Sequence, residues 1–374
     1  MKTLVEASAA FGQGAGIGRY ARNIVTRLIS ASDDEWALVR APANRSEASF
    51  FDPVRSDRVK VVTLPFSRRN ADRLWFRMRL PVDIRLFGGR GDVVYSPDFT
   101  APPMLGVPRM ITVHDLAFMT HPGHTTEALR RYLEGVVPRE VARADKVAVV
   151  SHATRKDVVR LLGVPEHKVV VVANGVDDRF YQAAPLASAA RKRLGLPERY
   201  LLMVGTIEPR KNHLNAMRAL ERSRVGNHLP LVIAGRTGWG YEETMEQARR
   251  LVNRGLVQLL DYFPDEDLPG LYAGAKAVLY PSWTEGFGLP VVEALASGTA
   301  VVTGTAPALR EVGGDEAIYA DPGDVEGLAD RIRHVAEQES SDEDRARRQQ
   351  WTRRFSWDSS TSTVIESLKN LSRR

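Results

Sequence analysis

The chain has no cysteine among its 374 residues. That excludes disulfides, thiolate metal sites and a cysteine nucleophile, and it leaves the compartment open because a reduced protein needs none. No apolar run approaches the roughly 18 residues of a membrane-crossing helix. No secretory leader is expected: Met1 to Glu6 mixes a cation and an acid into a short apolar run, and Ala7-Ser8-Ala9, which could pass for a cleavage site, lacks the hydrophobic region before it. The start therefore reads as mature and cytoplasmic. Aromatics are sparse at 7%, against 43% hydrophobic and 26% charged residues, the balance of a globular α/β protein. The length exceeds what one core supports, so two domains are expected.

Acidic residues fall short in one half only. Residues 1–183 hold 27 Lys+Arg and 20 Asp+Glu, whereas the remainder holds 25 and 26. The basic excess thus lies in the N-terminal half and points to an anionic partner there, with nucleic acid, a lipid surface and a phosphorylated acceptor as candidates. Within that half, Ser67 to Arg90 carries seven arginines against two aspartates, interleaved with Leu74, Trp75, Phe76, Met78 and Leu80. Such a stretch, Arg68 to Arg90, can rest on an anionic membrane from the cytoplasmic side or pack on its own domain. No nucleic-acid-binding module accompanies it, and no nucleic-acid partner is expected.

Short β-branched runs alternate with longer helical patterns along the whole chain, which argues for parallel sheets with crossover helices. Seven runs precede Asn174-Gly175-Val176-Asp177, from Leu4–Ala7 to Val169–Val172, and six follow, from Leu201–Val204 to Ala317–Tyr319. The turn signal and the polar, Ala-rich stretch after it place the domain junction near residue 183. The expected division is 1–183, 184–355, and a final segment 356–374 whose Val364, Ile365, Leu368 and Leu371 recur at helical spacing.

Open parallel sheets take ligands outside the carboxyl ends of their strands, and the chemistry-bearing residues gather after such ends. Glu285-Gly286-Phe287-Gly288-Leu289-Pro290 follows the strand ending at Tyr280, with Glu293 eight residues beyond Glu285. Glycines there let backbone approach a ligand, and the N–H groups of the following helix suit a diphosphate. The two acids are spaced to reach different parts of one ligand, a sugar hydroxyl and a ribose. Gly205-Thr206-Ile207-Glu208-Pro209-Arg210-Lys211-Asn212 sets two cations at another strand end, where a leaving diphosphate gathers charge. His114-Asp115 closes a third strand, where an imidazole can bond a hydroxyl or serve the core.

Other motifs are weaker. Gly12, Gly14, Gly16 and Gly18 puncture the first strand-to-helix loop, but two dinucleotide frames fail at Ile17 and Arg19, and no acid closes the second strand to hold a ribose. This disfavours a dehydrogenase. His121 and His124 find no third metal ligand at useful spacing. Asp265-Glu266-Asp267 formally offers an acid pair for a metal, yet its place before Leu268 reads as a helix cap. Asp261-Tyr262-Phe263 is a candidate wall for a nucleobase. No metal and no cofactor beyond a substrate nucleotide sugar is expected.

Taken together, Glu285 through Glu293, Glu208 to Asn212, His114-Asp115, the glycine loop and Asn174 to Asp177 resemble glycosyltransferase family 4 along nearly the whole chain. The resemblance implies the GT-B fold, two facing Rossmann-like domains with a donor cleft between them, and a last helix that crosses back to the first domain. It implies a retaining, metal-independent hexosyltransferase. Arg210 and Lys211 would bind the donor diphosphate, Glu293 the ribose, and Glu285 with the amides of Phe287, Gly288 and Leu289 the sugar. His114 would reach the sugar from the other domain, with Gly14 and Gly16 lining the gap and Gly205, Thr206, Phe263 and Gly286 among the donor contacts. Gly205 to Asn212 and the turn Gly235 to Trp239 look most like bacterial mannosyltransferases of polysaccharide and O-antigen assembly, implying GDP-mannose and a glycan or lipid-linked acceptor. UDP-glucose or another nucleotide sugar stays open as donor. A sugar-nucleotide epimerase and a non-catalytic nucleotide-sugar-binding protein are the competing readings.

Overall fold

A computed structural model describes residues 1–12, 16–42, 57–260 and 263–373. Its first sheet contains β1 (Lys2–Glu6), β2 (Glu35–Arg40), β3 (Val59–Thr63), β4 (Val93–Ser96), β5 (Arg109–Val113), β6 (Lys146–Val149) and β7 (Val169–Val171), in the order β3-β2-β1-β4-β5-β6-β7. The second contains β8 (Leu201–Val204), β9 (Leu231–Ala234), β10 (Val257–Leu260), β11 (Ala277–Tyr280), β12 (Ala300–Thr303) and β13 (Ile318–Tyr319), in the order β10-β9-β8-β11-β12-β13. All pairings between these strands are parallel. The β-branched runs read from the sequence are these strands, to within a residue or two at each end. Parallel strands covered on both faces need apolar side chains at successive positions; β4, β9, β11 and β12 are buried throughout.

The chain forms two compact Rossmann-like units. One holds residues 1–120, 127–175 and 356–374; the other holds 121–126 and 176–355. The junction therefore falls after Gly175, eight residues before the position the sequence suggested. The reason lies in packing: a Cβ on Gly175 would stand 2.2 Å from the Trp357 backbone nitrogen. Only glycine permits that approach. The boundary cuts the turn itself, Asn174 and Gly175 belonging to the first unit and Val176 and Asp177 to the second, and the polar stretch that looked like a linker belongs to the second.

Within the first unit, the helix Gly16–Ala31 buries Tyr20, Ala21, Ile24, Val25, Leu28 and Ile29, the three- and four-residue spacing of one apolar face. The terminal helix Trp357–Ser372 packs against it. Ser356 caps that helix by accepting from the Asp358 and Ser359 amides, and Val364, Leu368 and Leu371 are buried.

The arginine-rich stretch is divided between inside and outside. Trp75 and Phe76 enter the core, and the Trp75 indole donates to the Val82 carbonyl. Arg68 turns inward to Asp98 at 3.0 Å. Arg73, Arg77, Arg79, Arg85 and Arg90 are exposed, with Met78 64% and Leu86 76% exposed among them. Among the described residues, no helix is long and apolar enough to cross a membrane.

Candidate active site

In a doubly wound sheet the chain runs outward in opposite directions from one pair of neighbouring strands, and the loops leaving their carboxyl ends part to form a crevice. In the second unit that pair is β8 and β11. The loop after β8 carries Gly205 to Lys211, and the loop after β11 carries Pro281 to Gly288. The two motifs lie far apart in sequence and are neighbours only because of this strand order.

They meet in one ion-paired centre. Arg210 Nη1 lies 2.6 Å from Glu285 Oε2, and Lys211 Nζ lies 2.6 Å from Glu285 Oε1. Arg210 also donates to Glu208 Oε1, at 2.8 Å from Nη2, and to the Thr284 carbonyl at 3.1 Å. Tyr280, the last residue of β11, donates to Glu285 Oε1 at 2.8 Å and accepts from Lys211 Nζ. Backbone geometry fixes the cations: Pro209 opens a single helical turn, and Asn212 ends it with φ +61°. The Asn212 side-chain amide donates to the carbonyls of Pro281 and Pro322 at 3.1 and 2.8 Å, tying the β8 loop to the segments after β11 and β13.

Electrostatics follow from burial and these contacts. Burial works against the Glu285 charge, yet Arg210 and Lys211, with hydrogen bonds from Lys211 and Tyr280, hold its pKa down at about 2. Burial and then Arg210 lower the pKa of Lys211, partly offset by Glu285. His213, just beyond, is pushed down to about 3 by burial and by the Lys211 charge.

The remaining expected residues are distributed as follows. Gly288 has φ +108° and opens the helix Leu289–Ala296 out of the β11 loop; Pro290 carries no N–H and the Val291 amide donates to the Gly288 carbonyl at 2.9 Å, so Leu289 supplies the first amide of the turn. Phe287 is buried against Phe355, ring centroids 5.5 Å apart, so only its backbone is available to a ligand. Glu293 is 2% exposed and accepts from the Tyr272 hydroxyl at 3.1 Å. Gly205 has φ +134°, and its oxygen would lie 1.9 Å from a Cβ on Gly235. Thr206 and Phe263 are partly buried. Gly14 lies outside the described residues, as do Asp261 and Tyr262. A Cβ on Gly16 would meet nothing within 4 Å among the described residues. His114 ends β5 in the first unit; its Nε2 donates to the Pro97 carbonyl at 2.8 Å, and Tyr20 meets the ring edge-on at 4.9 Å.

Asp265 to Asp267 is not a cap. Neither Pro264 nor Asp267 makes a side-chain cap bond; Asp265 pairs with Arg179 at 2.7 Å and Asp267 with Arg193. Arginines distant in sequence outcompete the local amides. His124 meets Trp283 at a tilt of 52°, centroids 5.6 Å apart, within the second unit. Among the described residues, no three His, Asp or Glu side chains gather as a metal would require. Sequence reasoning missed Tyr280 as a member of the centre, because a buried strand residue carries no local sign that its hydroxyl meets a motif beyond it.

Residues 14–180 match the family model described as Glycosyltransferase Family 4, and residues 188–354 the one described as Glycosyl transferases group 1. Over 376 residues the chain is 30% identical to O-antigen chain mannosyltransferase B of Escherichia coli, spanning 95% of this chain and 96% of that one. The chain belongs to glycosyltransferase family 4. This glycosyltransferase is also 29% identical to a glycogen synthase of Mycobacterium tuberculosis, over 91% of its own length and 88% of the relative's. Its fold is similar to the crystal structure of HepE of Anabaena in complex with UDP and glucose, with a TM-score of 0.75, 19% identity, and 99% and 100% of the two chains covered. The fold is GT-B, and membership makes the chain a hexosyltransferase.

Proposed function

We propose that the glycosyltransferase moves mannose from GDP-mannose onto a glycan or lipid-linked acceptor, with retention of anomeric configuration and without a metal. The observation that carries this reading is the pairing of Arg210 and Lys211 with Glu285 at the β8/β11 crevice. Two cations fixed on one loop suit the two phosphates of a nucleoside diphosphate, and they stabilise the negative charge that grows as the sugar leaves. Glu285 and the amides of Phe287, Gly288 and Leu289 bind the sugar, and Glu293 the ribose. Family membership also supports a donor role for His114, Gly14 and Gly16. The acceptor oxygen bonds to the anomeric carbon on the face the diphosphate leaves. The C–O electron pair goes to the departing phosphate oxygen, which takes the acceptor's proton. Mannose and the polysaccharide or O-antigen context are supported by the relative of 30% identity.

Glu285→Gln is the sharpest variant for this assignment, and calorimetry its widest test. The protein, treated with a chelator, is titrated with GDP, UDP and their mannose and glucose conjugates, beside an Arg210→Ala/Lys211→Ala control. Selective binding of GDP species that the control loses is expected. Selective binding of UDP species would replace the donor, a second reading favoured by the likeness to HepE, whose crystal structure holds UDP and glucose. Binding without transfer to any glycan would leave a nucleotide-sugar-binding protein.

The exposed Arg73, Arg77, Arg79, Arg85 and Arg90, with Met78 and Leu86 among them, support peripheral contact with an anionic lipid surface.

A further inference from the structure

We infer that Tyr280 is a positioning residue of the donor site: its hydroxyl sets the placement and the ionisation of Lys211 and Glu285. This rests on the reading of Arg210 and Lys211 as the diphosphate-binding pair.

The direction of each hydrogen bond at this hydroxyl is fixed by chemistry. An ammonium can only donate and an ionised carboxylate can only accept. The phenol must therefore accept from Lys211 Nζ and give its single proton to Glu285 Oε1, 2.8 Å away. Burial, then Glu285, raises the Tyr280 pKa well above its ordinary value, so the proton stays on the phenol. The hydroxyl thus joins both charged groups without competing for either charge.

The strand end that carries the phenol is held firmly. The Tyr280 carbonyl accepts from Ser282 N at 2.8 Å, Thr303 Oγ1 at 3.0 Å and Gly304 N at 3.2 Å, and the side chain is 1% exposed. Lys211 Nζ also lies over the ring, 4.8 Å from its centroid. Lys211, by contrast, reaches the centre on a long stem from the turn Pro209–Lys211, and Glu285 stands on the β11 loop. A rigid phenol between these two buried charges holds them in register, and the accepted hydrogen bond opposes the lowering of the Lys211 pKa by burial.

Tyr280→Phe keeps the ring, its packing and the cation–π contact, and removes only the hydroxyl. The native protein and the variant are compared by unfolding temperature, by the pH dependence of kcat/KM for GDP-mannose, and by GDP calorimetry across the same pH range. Folding is expected to be unchanged. The value of kcat should fall about tenfold, the scale of one hydrogen bond to a charged group. The alkaline limb of kcat/KM, and of GDP affinity, should move down by about one pH unit as Lys211 loses an acceptor. An unmoved alkaline limb, with or without a fall in kcat, would make the Lys211 ionisation independent of the hydroxyl and overturns the inference. Failure of the native protein to bind any nucleoside diphosphate would instead remove the donor reading, and this inference with it.

Discussion

Glu285 keeps its charge where burial alone would neutralise it, because two cations and a phenol surround it. Counting Glu208, the centre holds two cations and two carboxylates, and each cation already has a carboxylate partner. An arriving diphosphate must therefore compete with Glu285 for Arg210 and Lys211. Glu285→Gln is expected to bind GDP more tightly, on the order of tenfold, while transfer falls at least about a hundredfold for want of the sugar contact. Calorimetry and initial rates on the same preparation check both; weaker GDP binding would contradict the competition. Lys211→Ala should lower kcat by about a hundredfold through lost stabilisation of the leaving group, and near-native turnover would remove Lys211 from that role.

Among the elements, the helix His213–Ser223 begins at the donor site and carries an unusual burden. His213 is 2% exposed, and neither ring nitrogen has a hydrogen-bond partner among the described residues. Its pKa of about 3 in the fold lies below the ordinary 6.5. The unfolded chain then binds the extra proton between pH 6.5 and 3, so stability declines as pH falls through that window and the penalty vanishes above it. The Glu285 contribution behaves differently, being present above about pH 4.5 and lost as pH falls toward 2. His213→Leu should therefore flatten the loss of unfolding temperature between pH 6.5 and 5, where carboxylates remain ionised. An unchanged slope would assign the acid sensitivity elsewhere.

The strands were legible for a local reason. A parallel strand buried on both faces reads as a run of β-branched and aliphatic residues whatever it neighbours. The loop motifs were legible because glycines and charges cluster after those runs. Asp265 to Asp267 was misread for want of the same information: a local cap and a distant arginine make identical demands on an aspartate, and only folding decided between them.

For the whole molecule, the basic excess of residues 1–183 now has a surface. Arg68 is withdrawn to Asp98, but Arg73, Arg77 and Arg79 stand exposed beside Met78. Each exposed cation near an anionic membrane contributes about 1 kcal/mol, so replacing these three with serine should weaken binding to anionic vesicles about a hundredfold while sparing GDP affinity. Sedimentation with anionic and neutral vesicles measures it, and equal binding by the native and triple-variant proteins would refute the membrane contact.

The sequence by itself determined the two sets of strands, the family and the charged motifs, since each depends on residues within a few positions of one another. Tertiary structure alone decided that the β8 and β11 loops meet, that Tyr280 joins Lys211 to Glu285, that Gly175 must yield to Trp357, and that Arg68 faces inward. The reason is strand order: which carboxyl ends become neighbours depends on how crossover helices wind each sheet, and no local pattern of side chains encodes the contacts made across that join.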